Sequence, residues 1–131
     1  MKNLFLCFVL TFQIAFSLAQ TSPVQETDIT KVLKFTNDNY DMGKIQFGKP
    51  IEFSVDIQNI SNATISLDNV MVGCGCTTPK FMKGQNLIPG AHATVILGFN
   101  GSAMGPFTKS ATLFFSGNLI KTVSFHGEGI Q

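Results

Sequence analysis

The sequence contains no tryptophan and, among its nine basic residues, no arginine. The missing tryptophan removes the side chain that packs on the inter-sheet disulfide of antibody domains. The lysines are spread along the chain, so they form neither the basic cluster that binds nucleic acid nor a polybasic membrane patch. We therefore expect no nucleic-acid partner.

Cysteine is also scarce, with three in the chain, and Cys7 lies inside an apolar run from Leu4 to Leu18. This run follows Lys2, is shorter than the roughly 20 residues of a spanning helix, and ends at the small residues of Ser17-Leu18-Ala19. These features predict a signal peptide over residues 1–19, cleaved after Ala19. We expect a secreted or periplasmic protein with no membrane insertion after cleavage, since no second apolar run is long enough.

The predicted mature chain, Gln20–Gln131, is long enough for one hydrophobic core. Without Lys2, the nine basic residues become eight, which match the eight acidic residues and leave no net charge. Residues 20–30 are polar without a period and are predicted to be a flexible lead-in. Residues 31–131 are predicted to form one domain.

The rest of the chain shows strand patterns and no convincing helical period. Apolar residues alternate with polar ones from Ile51 to Ile57, as expected for a strand with one buried face. The phase of the alternation slips within Thr64–Val72, which predicts a bulge near Asp68-Asn69, and Gly43 permits another in an edge segment. About seven or eight short strands separated by turn signals predict an all-β sandwich or barrel.

The second half of the chain continues this pattern. Pro89-Gly90 predicts a turn, and a strand of alternating residues follows up to Phe99. The short loop Ser116-Gly117-Asn118 predicts a hairpin between the last two strands. Residues 73–79, which include both remaining cysteines, are placed at a strand end or in a loop.

Five motifs follow one another along the chain: Asp41-Met42-Gly43-Lys44-Ile45, Phe53 through Asn59, Cys74-Gly75-Cys76-Thr77, Pro89-Gly90, and Gly105-Pro106-Phe107-Thr108-Lys109. Their order resembles a family of secreted bacterial proteins known as domain of unknown function 1573. The chain departs from the family pattern at Met42, where an aromatic residue is usual, and at Val72-Gly73, where a polar residue usually precedes the cysteines. The resemblance covers roughly Phe35 to Gly129. It implies an immunoglobulin-like β-sandwich outside the cytoplasm and no established activity.

Three roles are open for the Cys74-Gly75-Cys76 motif. The two sulfurs can close a small disulfide ring, if Gly75 lets the chain bend and shorten the Cα separation of about 6.5 Å expected for an extended strand. They can instead serve as thiols that bind a soft metal such as copper(I), with Met71, Met82, Met104 or His92 as further ligands by type. They can also be small buried residues in a tight turn. No cofactor is expected, and copper(I) is kept as the alternative.

The only histidines are His92 and His126, and no recognised catalytic motif accompanies them. The sequence does not decide whether the protein is an enzyme, and it favours a non-enzymatic role. We therefore expect an extracytoplasmic binding or assembly module with a protein or cell-surface partner. The alternative is a thiol redox or copper(I) site at Cys74 and Cys76.

Overall fold

The computed structural model describes residues 27–131. The predicted signal peptide and most of the predicted lead-in lie outside these residues. Ile29 and Thr30, at the end of that lead-in, belong to a 3₁₀ turn (Ile29–Lys31). Asp28 caps this turn by accepting hydrogen bonds from the hydroxyl (2.7 Å) and the amide (3.1 Å) of Thr30, which lower the pKa of its carboxyl group. Ile29 packs against the core.

Nine strands form two sheets within the described residues. They are β1 (Leu33–Thr36), β2 (Asn39–Gln46), β3 (Ile51–Asn59), β4 (Ile65–Val72), β5 (Thr77–Lys80), β6 (Gln85–Leu87), β7 (His92–Phe99), β8 (Gly105–Phe115) and β9 (Leu119–Ile130). One sheet has the order β1-β3-β7-β5 and the other β2-β9-β8-β4-β6. The prediction of an all-β sandwich is confirmed. The strand number is higher than expected because the short β5 and β6 lie where the sequence shows little alternation.

The core lies between the two sheets and is built from alternate residues of the long strands. In β3 the inward residues Phe53, Val55 and Ile57 are buried, and β7 buries four residues in the same alternation. The ring of Phe125 on β9 lies 5.3 Å from that of Phe53 and 5.7 Å from that of Phe99, so aromatic packing joins the sheets. Each such buried side chain contributes about 1.5–3 kcal/mol relative to an exposed one.

Both predicted bulges are present. The ladder between β2 and β9 shifts register between Asp41 and Lys44, where Gly43 has φ of 66°. The ladder between β4 and β8 shifts between Leu67 and Asn69. In β4 the bulge lets Leu67 and Val70 both face the core despite the slipped phase. In β2 it lies in a strand that runs parallel to β9 at the edge of the five-stranded sheet.

Candidate functional site

The Cys74-Gly75-Cys76 motif lies in the connection that crosses from one sheet to the other. The chain leaves β4 in the five-stranded sheet after Val72 and enters β5 in the four-stranded sheet at Thr77. The amide of Thr77 donates to the carbonyl of Cys74 (3.3 Å), and the amide of Asn100 donates to the carbonyl of Cys76 (3.0 Å). Thr77 itself is buried. The motif is therefore held by backbone hydrogen bonds at one end of the sandwich.

The structure joins Cys74 and Cys76 in a disulfide with a Cα separation of 5.3 Å. This separation is in the usual range for a bridge and shorter than the extended-chain value. Gly75 does not have a positive φ, and no atom lies within 4 Å of the position a Cβ would take there. The observed backbone therefore does not require glycine at position 75.

The two sulfur-bearing residues have different surroundings. Cys76 packs against the hydrophobic core. Cys74 instead lines an open cavity of about 180 Å³, together with Gly73, Thr77, Thr108, Lys109 and Ser110. Cys74 is thus the residue of the pair that a molecule entering this cavity would meet.

The far wall of this cavity is an uncovered length of β8. The ladder between β4 and β8 ends at the pair Val72 and Ala111, whereas the ladder between β8 and β9 continues to the pair Gly105 and Gly129. Residues 105–110 of β8 therefore have a neighbouring strand on the β9 side only. The cysteine loop turns away to the other sheet at the point where this open edge begins.

The structure does not bring His92 to the cysteines. His92 is at the start of β7, while Thr77, next to the motif, pairs with Phe99 at its end. His92 and Phe99 are seven positions apart along the strand, which corresponds to about 23 Å. Met71, Met82 and Met104 are exposed. Residues 27–131 contain no group of three or more His, Cys, Asp or Glu residues arranged to hold a metal ion.

The two histidines each lie beside one carboxylate on the outer faces of the sheets. The Nδ1 atom of His92 is 2.9 Å from Oδ2 of Asp56, with both side chains about half exposed. The Nε2 atom of His126 is 3.9 Å from Oδ1 of Asp41. Neither pair borders the cysteine cavity.

Asn59 is a residue that the sequence marks only as the end of the motif Phe53 through Asn59. Its side chain is fully buried, accepts from the amide (2.9 Å) and hydroxyl (2.7 Å) of Ser61, and donates to the carbonyls of Ala63 (2.7 Å) and Leu87 (2.8 Å). It lies at the end of β3, opposite the cysteine loop. The signal that could have found it is an asparagine directly after an alternating apolar strand.

Comparison with known proteins gives one family match and several structural ones. The profile of a family described as "Protein of unknown function (DUF1573)" matches residues 33–128. No curated protein matches the chain. Among the residues the structure describes, no helix is long and apolar enough to cross a membrane.

Three solved structures illustrate the fold similarity. The VesB protease of Vibrio cholerae matches with a TM-score of 0.60 and 11% identity over 79% of this chain and 33% of that chain. The seventh PapD-like domain of human CEP192 matches with a TM-score of 0.58 and 11% identity, over 77% of this chain and 87% of that chain. The YadV chaperone matches with a TM-score of 0.54 and 9% identity, over 76% of this chain and 53% of that chain. The chain thus spans about a third of VesB, and these similarities show an immunoglobulin-like, PapD-like sandwich.

Proposed function

The chain belongs to the DUF1573 family and has a PapD-like sandwich with a bridged cysteine loop, and we propose that it is an extracytoplasmic, non-enzymatic binding or assembly module. The observation that carries this proposal is the uncovered β8 edge beside a loop fixed by hydrogen bonds and a disulfide. A rigid scaffold that presents one loop and one open edge suits recognition of a protein or cell-surface component.

Two further observations support this proposal. One solved structure with the same fold is named a chaperone, and another is a PapD-like domain, which is support by analogy of fold. The signal-peptide pattern and the disulfide both suit an oxidising compartment outside the cytoplasm.

A second candidate function is thiol redox exchange, which the exposure of Cys74 to the cavity favours. In that reaction a partner dithiol gives two electrons and two protons to the Cys74–Cys76 disulfide. The partner becomes a disulfide, and both cysteines become thiols. Copper(I) binding by the reduced pair belongs to the same alternative.

Photo-cross-linking in the cells that make the protein tests the binding role. A photoreactive residue is placed, one at a time, at the exposed positions Met71, Met82, Thr94 and Ser110, which sample different surfaces. The binding proposal expects a discrete adduct from at least one position. The absence of adducts from all four, with normal secretion, contradicts it.

A double Cys74→Ser, Cys76→Ser variant separates binding from redox or metal chemistry. The binding proposal expects the variant to fold and to give the same adduct as the parent. Loss of the adduct or of cellular function with the fold intact favours the alternative instead. The mass of the parent, measured under native conditions after purification without reductant or chelator, shows whether a metal is bound.

A further inference from the structure

The open length of β8 directs its backbone groups away from β9 at every second residue. Pro106 lies in β8 opposite Glu128, and a proline fits a sheet where its missing N–H faces away from the neighbouring strand. Ser116 lies an even number of residues beyond Pro106, so its backbone groups face the same side of the strand. Its amide donates to the carbonyl of Ser66, near the start of β4, 3.0 Å away. Thr108 and Ser110 therefore turn their N–H and C=O groups to the open side, because β8 pairs with β9 without a register shift.

These groups have no partner strand within residues 27–131. The backbone hydrogen bonds of the loops and turns include none from Thr108 or Ser110, and the loop that follows Val72 leaves for the other sheet. Both residues are exposed, and their neighbour Lys109 is half-buried and lines the cavity beside Cys74. The edge thus combines backbone groups that have no neighbouring strand with a cavity lined by Lys109.

Resting on the proposed binding function, we propose that residues 106–110 of β8 bind an extended strand of a partner protein, which adds to the five-stranded sheet beside the cysteine loop. The added strand carries an acidic side chain on its inward face, where it meets Lys109 in the cavity of about 180 Å³. Backbone hydrogen bonds supply affinity in this mode of recognition, and the alternate inward side chains supply specificity.

The positive charge of Lys109 favours an acidic partner strand over a second copy of the chain. If two β8 edges paired with each other, the two Lys109 side chains would lie on the same inward face near the centre of the contact. Like charges across paired strands destabilise the pairing, and edge lysines are a common protection against it. An acidic residue at the same place in a partner strand would instead form an ion pair with Lys109.

A tethered strand tests this inference on the full domain. A Gly/Ser linker and the sequence Thr-Ile-Thr-Glu-Thr-Ile are fused after Gln131, since β9 ends beside Gly105, where the open edge begins. The linker must pass β8, a distance of about 10 Å, and about ten residues give ample reach. The readout is amide hydrogen exchange at Thr108 and Ser110, measured by NMR in the fused and unfused proteins.

We expect fast exchange at both amides in the unfused protein and exchange slowed by about tenfold or more in the fusion. Thr108→Pro removes one of the two N–H groups that face the edge and should return Ser110 to fast exchange. The matched Thr108→Val variant keeps the backbone and should retain the protection. A lysine in place of the glutamate of the tethered strand should weaken it.

Fast exchange in the fusion overturns the proposed edge site, and equal protection with the lysine strand overturns the acidic assignment. Protection already present in the unfused protein also overturns the proposal. If that protection rises with concentration, the occupant is a second copy; otherwise it is another part of the same chain. If the cross-linked adducts form but the tethered strand gives no protection, the binding function is retained. The binding surface then lies elsewhere on the domain.

Discussion

Asn59 and Thr77 are the two buried polar side chains among residues 27–131, and they lie at opposite ends of the sandwich. The side-chain amide of Asn59 bonds to two segments, which are its own turn at Ser61 and Ala63 and the end of β6 at Leu87. Its backbone also bonds to Gly90 and Ala91. One side chain thus fixes the geometry of the end of the domain away from the cysteine loop.

We expect Asn59→Ala to lower the free energy of unfolding by about 2–4 kcal/mol, because the buried carbonyl of Leu87 loses its donor and a cavity is left. Urea denaturation followed by far-UV circular dichroism measures this loss. Asn62→Ala, at an exposed position in the same turn, is the control and should change stability by less than about 0.5 kcal/mol. An equally small loss for Asn59→Ala would contradict the role assigned to the side chain.

Sequence reasoning succeeds at the element scale where one face of a strand is buried. The alternation in β3 and the phase slip in β4 follow from a single core on one side of each strand, so strand and bulge were both predictable. The short β5 was missed because it has only four residues, one of them Pro79, and its pairing with β7 is a long-range contact. The open edge of β8 was missed for a similar reason, since only the register of β4 reveals it.

The β8–β9 hairpin depends on two residues with positive φ, Gly117 (73°) and Asn118 (59°). A branched side chain at the second position would clash with the backbone in this conformation. We expect Asn118→Val to lower the unfolding free energy by about 1–2 kcal/mol. Asn118→Gly should leave it within about 0.5 kcal/mol of the parent. Chemical denaturation of the two variants measures these changes. If Asn118→Val were as stable as the parent, the turn would adopt another conformation in solution.

The cysteine loop is an element in which covalent closure adds little stability. The bridged residues are two apart, so the chain-entropy model gives a contribution of only about 1.5 kcal/mol. We expect Cys74→Ser, Cys76→Ser to unfold at slightly lower urea concentration with an unchanged spectrum. Treating the parent with a reductant should have a similar effect. Complete loss of the fold in the variant would show that the bridge is required for the structure rather than for the shape of the loop.

At the scale of the whole molecule, the two sheets share one core and should unfold together. Tyr40 is the only tyrosine of a chain without tryptophan, and its ring on β2 stacks on Phe53 of β3 in the other sheet, 4.6 Å away. Tyrosine fluorescence therefore reports contact between the sheets. We expect the fluorescence and far-UV circular dichroism transitions in urea to coincide. A fluorescence change at lower urea concentration would show that the sheets separate before they unfold.

The parallel pairing of β2 with β9 has a consequence for the order in which the chain can fold as it is synthesised. β9 lies between β2 and β8, so the ladders of β2 with β9 and of β8 with β9 cannot form before this final strand of the domain is made. A chain that emerges with its N-terminus first therefore holds β2 without a neighbouring strand until Leu119–Ile130 have been made. The sandwich therefore cannot be completed before β9 has been made, and this last strand sets the earliest moment at which the domain can close.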